Sequence, residues 1–151
     1  MMNRKGIVVF TKVLLDVMFY SGILVTASLP FTLKLAGKYY SQDFAEHYIP
    51  MLAVFLVSGV CGLVIVYQLR KMIRTVIARD CFVEGNTKSL KLMGKTAFVI
   101  AAVYIVKVFT VPTPATFVII LTFFIAGLFS YVLSMVFAEA VRYKEENDLT
   151  I

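Results

Sequence analysis

Asp16 follows Lys12 by four residues inside an otherwise apolar stretch, and a carboxylate in such surroundings is the first candidate for chemistry. The spacing puts both side chains on one face of a helix. The plainer outcome is an ion pair just below the headgroups of a bilayer, with Lys12 reaching outward. The sharper one is a proton- or cation-binding carboxylate turned toward other helices. Ion transport would need more polar groups at mid-depth, and Tyr20, Ser21, Thr26, Ser28 and Gln68 are the few available. Lys107 is the second charge within an apolar run. Its flexible stem suits snorkelling toward the headgroups, with an anionic ligand as the alternative.

Asp43, Glu46 and His47, beside Tyr39, Tyr40 and Tyr48, form a titratable patch. A metal site or a pH sensor could be built from it, with His47 as the switch. A solvated interfacial loop is the simpler account, because tyrosines belong at a bilayer surface. Cys61 and Cys81 stand about 20 mostly helical residues apart, roughly 30 Å at helical rise and beyond disulfide reach. Neither has metal-ligand spacing, and His47 is the single histidine. Glu139 could act as a general acid, but Arg142 and Tyr143 follow it at three and four residues as nearer partners. Paired histidines, a phosphate-cradling glycine loop and a nucleophile beside a base are all missing from the sequence. The expectation is a non-enzymatic protein with no cofactor and no metal.

The elements that carry these residues are set by hydropathy. Apolar residues make up 60% of the 151 and charged residues only 16%. They come in long blocks, the pattern of a membrane protein rather than of a soluble core. Predicted spans lie at about 13–33, 49–69, 90–111 and 115–138, the third reaching full length only if its helix begins near Leu90. Arg4 and Lys5 before an apolar run, then Val25-Thr26-Ala27, resemble a secretory signal. Asp16 interrupts that segment, so an uncleaved first span is expected. Of the 15 basic residues, all but Lys34, Lys38 and Lys107 fall on one side of this layout. The positive-inside rule then makes both termini cytoplasmic. The net charge of +6 is accounted for by topology and anionic lipid, so no direct contact with nucleic acid is expected.

Between spans two and three, residues 70–95 read as a helical cytoplasmic hairpin. Leu69, Met72, Ile73, Val76 and Ile77 share one arc, opposite Arg70, Lys71 and Arg74. The stretch RDCFVEGN breaks the helix, with Gly85 and Asn86 as stop and restart signals. Ala126, Ser130, Ser134 and Ala138, and likewise Ser58 and Gly62, recur every four residues, so both stripes are expected to face other helices. In the segment 139–151, Glu145, Glu146 and Asp148 oppose the helix dipole, with Asn147 as a helix-ending residue. A positive neighbour would relieve them, either the basic hairpin or a basic partner protein.

The stretches LRKMIRTVIARDCFVEGNTKSLKLMGK and AEAVRYKEENDLTI together resemble the YoaS-like small bacterial membrane proteins, a family filed as a domain of unknown function. The resemblance rests on Phe82 and Asn86 at the break and on Glu146 to Ile151. Cys81, Gly85 and Thr87 depart from that pattern. The resemblance implies a multi-pass protein of the bacterial cell membrane, partnered by a small helix-turn-helix regulator. The resulting expectation is an all-α integral membrane four-helix bundle that senses or sequesters such a regulator, homo-oligomerisation being compatible. Docking would use Arg74, Arg79, Phe82 and Asn86 on the hairpin, with Glu145, Glu146, Asp148, Leu149 and Ile151 on the tail. The alternative is a small transporter or immunity-type protein binding an ion, lipid or membrane-active peptide, with Asp16 and Lys107 as its working residues.

Overall fold

The computed structural model describes residues 3–40 and 42–150; Ile151 lies outside them, as do the side chains of Asp43 and Phe44. The chain is all-α: α1 Arg4–Tyr39, α2 Gln42–Glu46, α3 Tyr48–Ile77, α4 Glu84–Val108 and α5 Pro114–Leu149. Four of these, all but the short α2, are long and apolar enough to cross a membrane. The shortest, α4, has 25 residues, or about 38 Å at helical rise against a hydrocarbon core of about 30 Å. Helices are the natural spanning element because lipid offers no partner for a free backbone N–H or C=O.

Local sequence explains the ends. Pro114 opens α5 at a position where a missing N–H costs nothing. Pro30, by contrast, lies inside α1. The Tyr48 hydroxyl donates to the Pro30 carbonyl at 3.1 Å, tying the start of α3 to that point of α1. The break after α3 comes earlier than the sequence suggests. The chain reverses over residues 78–83, overlapping the predicted stretch RDCFVEGN, but Gly85 and Asn86 lie in the first turn of α4 rather than in the break. Asn147 does not end α5, which continues to Leu149.

The expected bundle is an open row. α1 packs on α3, α3 on α4 and α4 on α5. Among the described residues, no close backbone approach joins α1 to α4 or α5. The core therefore sits around α4, where half of the most apolar window is buried, against 6%, 6% and 11% for α1, α3 and α5. Leu90, Met93, Ala97, Ile100, Ala101 and Tyr104 form its apolar part.

Glycine allows the closest approach. A Cβ on Gly94 of α4 would lie 3.1 Å from the Gly127 carbonyl oxygen of α5, and one on Gly127 would lie 2.8 Å from the Phe98 ring. In lipid such intimate packing substitutes for the hydrophobic effect, which cannot drive helices together there. Ser134 is fully buried on the same side, but Ala126 and Ala138 are exposed, so only the middle of the predicted stripe meets a helix. On α3 the close contact is at Gly59, whose added Cβ would meet Thr26 Oγ1 at 2.8 Å; the predicted Gly62 has open space around it.

Candidate functional site

The turn between α3 and α4 is built from hydrogen bonds rather than from flexible residues. Arg79 N–H donates to the Val76 carbonyl and Asp80 N–H to the Thr75 carbonyl, the paired bonds of a Schellman cap. That motif needs a left-handed residue, and Arg79 takes the position with φ 61°. Glycine is the usual occupant, and a side chain there costs roughly 1 kcal/mol or more. A positive charge is thus held at a strained position.

Asn86 locks the turn. It is 2% exposed, and its Nδ2 donates to Thr75 Oγ1 at 2.7 Å and to the Cys81 carbonyl at 2.7 Å. Thr75 in turn donates to the Met72 carbonyl at 2.6 Å. One side chain from the first turn of α4 therefore holds the last turn of α3 and the intervening loop together. The buried amide is satisfied by protein, which a low-dielectric setting demands.

The same loop is fastened to α5. The Phe82 ring lies 5.4 Å from that of Phe137, and Lys144 Nζ donates to Asp80 Oδ1 in an ion pair. The Asp80 carboxylate pushes the Lys144 pKa above the ordinary lysine range. This contact has the opposite sign from the expected one, because the tail supplies the cation and the loop the anion. Among the described residues, no ion pair joins Glu145, Glu146 or Asp148 to a basic residue of the 70–95 segment. Glu146 instead faces Arg142 one helical turn back, 3.8 Å away. The reason is rotational: Lys144 occupies the face of α5 turned toward the loop, and Glu145 and Glu146 are turned away from it. Asp148, one turn beyond Lys144, adds its charge to that lysine rather than to the hairpin. Glu145, Glu146, Asp148 and Leu149 are exposed, as is Arg74. The predicted docking residues therefore divide. Arg79, Phe82 and Asn86 come together at the turn, the acidic tail stands beyond it, and Ile151 falls outside the described residues.

The two charges within apolar runs are both engaged, though not as expected. Asp16 does not pair with Lys12: Arg70 Nε donates to Asp16 Oδ1 at 2.6 Å, joining α1 to α3. The Arg70 guanidinium also lies over the Phe19 ring at 4.6 Å and the Tyr20 ring at 5.4 Å, so its charge is met by aromatic faces as well. Lys107 does not snorkel. It is 6% exposed and donates to Thr116 Oγ1 at 2.9 Å, with the Thr113 hydroxyl 2.7 Å from that oxygen. This ties the end of α4 to the start of α5 across their tight turn.

Sequence reasoning missed Thr75, Asp80, Phe137 and Lys144 as partners. Helical phase does place Thr75 one turn after Lys71, but a threonine at a helix end carries no signal of its own. Among the described residues, no three histidine, cysteine or carboxylate side chains converge on a metal-sized site. Residues 36–151 match the family model described as "Protein of unknown function (DUF2975)". No curated protein matches the chain, and no solved structure does.

Proposed function

The chain belongs to this family of unknown function, and from that premise we propose a non-enzymatic membrane protein that docks a small, basic cytoplasmic protein at its α3–α4 turn and α5 extension. The finer YoaS-like likeness, carried by Phe82, Asn86 and the segment from Glu146, supports a bacterial cell-membrane setting and makes a helix-turn-helix regulator the partner of choice. The distribution of basic residues supports placing both termini and the 70–95 hairpin in the cytoplasm.

One observation carries the docking reading. The loop is fastened to α5 by Phe82–Phe137 and Lys144–Asp80, while Glu145, Glu146 and Asp148 remain uncommitted to that hairpin and Leu149 is 86% exposed. An acidic, partly apolar projection on a fixed base suits capture of a basic protein, with charge steering the encounter and apolar contact holding it. Engagement of Asp16 by Arg70 and of Lys107 by Thr116 weakens the transport alternative, since both groups already have partners within the chain.

The test is a pull-down from native membranes. Removal of residues 144–151, and separately Glu145→Lys with Glu146→Lys and Asp148→Lys in the full-length chain, should each abolish co-purification of a regulator while leaving membrane insertion intact. A regulator that still co-purifies with both variants refutes the docking reading.

A further inference from the structure

We propose that the cavity between the first turn of α1 and the last turn of α3 binds the headgroup of an anionic phospholipid. The cavity, about 700 Å³, is lined by three cations from two elements, Arg4 and Lys5 of α1 and Arg79 of the turn. Among the described residues, no carboxylate lines it. Its volume lies within the range of small-molecule sites, about 300–1,000 Å³.

Three features of the fold concentrate positive potential there. The first turn of α1 contains no acidic residue, and its cap residue Asn3 makes no side-chain hydrogen bond, so the N–H groups of that turn are left without a cap. A helix N-terminus is the positive end of the dipole, yet Arg4 and Lys5 add cations to it. Among the described residues, none of Arg4, Lys5 or Arg79 takes part in an ion pair. Asp80, the carboxylate next to Arg79, is held by Lys144 instead. The turn that presents Arg79 is held in place by Asn86 through the Cys81 carbonyl, and Cys81 also lines the cavity.

The apolar lining selects a lipid over a free anion. Val8 and Val9 follow Arg4 and Lys5 by one turn of α1, and Val76 and Ile77 precede Arg79 in α3. Both helices run from this end into their apolar windows, so the aliphatic groups lie on the membrane side of the cations. Inorganic phosphate would satisfy the cations and leave those aliphatics uncovered. A phosphodiester carried on a lipid at the membrane surface, just beyond the spans predicted at 13–33 and 49–69, meets both through its phosphate and the carbon skeleton next to it. Arginine is the natural bidentate partner of the phosphate. The proposal does not depend on any protein partner or on which leaflet carries the site.

Arg79→Gly separates ligand binding from stability, because glycine suits the left-handed position better than arginine does. Protein in phosphatidylcholine nanodiscs containing a minority of phosphatidylglycerol is released and its retained lipids are counted by native mass spectrometry. Wild type should retain phosphatidylglycerol several-fold over phosphatidylcholine. Arg79→Gly should lose that preference while melting at the same or a higher temperature in pure phosphatidylcholine. Lys91→Gln, outside the cavity, should keep the preference. The proposal is overturned by equal retention in wild type and Arg79→Gly, or by equal loss in Lys91→Gln. It is overturned too if inorganic phosphate, but not phosphatidylglycerol, raises the melting temperature.

Discussion

Replacing Asn86 by alanine removes both hydrogen bonds that hold the α3–α4 turn, and the structure sets the size of the effect. Each bond has a donor–acceptor distance of 2.7 Å and one acceptor is a backbone carbonyl. The two bonds contribute about 1 kcal/mol each, and stranding the Cys81 carbonyl adds about 1–3 kcal/mol less whatever water recovers, so the local cost is about 2–4 kcal/mol. The penalty falls on opening of the turn, since the spans on either side keep their own backbone bonds. Exchange of the backbone amides in residues 78–87 should therefore accelerate roughly 30- to 900-fold, measured by hydrogen–deuterium exchange in nanodiscs. Thr75→Val removes one of the two bonds and should give a smaller effect. The double variant should fall short of additivity, because the two side chains act as one network. Unchanged exchange over residues 78–87 would refute the lock. So would equal acceleration across all four spans, which would make Asn86 a general stabiliser rather than a fastener of the turn.

Two further outcomes follow from the ion pairs. Asp16→Asn and Arg70→Gln should each lower the melting temperature in nanodiscs, and the exchanged pair Asp16→Arg with Arg70→Asp should recover part of the loss; a swap no better than either single variant would mean that the contact does not join α1 to α3. The Lys144 pKa is raised by Asp80, so the tail contact is fully present below the ordinary lysine value of about 10.4 and is lost only as pH climbs through the raised value. Spin labels at Cys81 and at Asn147→Cys, in a Cys61→Ser background, should report one distance from pH 6 to pH 9 and separation only in stronger alkali. Loosening within the neutral range would contradict the pairing. Added salt should widen the distance distribution, because the two side chains are 42% and 55% exposed.

The spans were legible in the sequence because period and length dominate in a bilayer: long apolar blocks have few alternatives to helix. The partners of the charged residues were not. Lys12 is the nearest cation to Asp16 along one helix, yet Arg70 pairs with it from 54 positions away. That choice depends on how α1 and α3 are rotated against each other, which hydropathy does not encode. The same applies at the α3–α4 turn. Charge counting pairs an acidic tail with a basic hairpin, whereas the rotation of α5 brings Lys144 to Asp80. At the turn, the stretch RDCFVEGN overlaps the observed break, but Gly85 and Asn86, expected as its stop and restart signals, lie inside the first turn of α4. The left-handed position went to Arg79, a residue that turn propensities would not nominate.

The most enclosed helix, α4, has the lowest hydropathy of the four spans. In water this order would be perverse, since burial tracks apolar content. In lipid every helix is already surrounded by apolar solvent, and the groups that gain from protein neighbours are polar ones with no partner in the hydrocarbon. Asn86, Thr87, Ser89, Thr96 and Lys107 are all buried on α4. Two of them, Asn86 near one end and Lys107 near the other, bond to adjacent helices. The outer helices can then be apolar nearly all round without loss. Asn86 and Lys107, two of the residues that look weakest as membrane sequence, thus fasten α4 to its neighbours. Thr96 bonds within its own helix, and the buried Thr87 and Ser89 hydroxyls have no hydrogen-bond partner among the described residues. Asn86 also explains why the α3–α4 turn is so firmly held: α4 begins already anchored by it, so the Arg79 cation and the fastened Phe82 loop are presented from a fixed base.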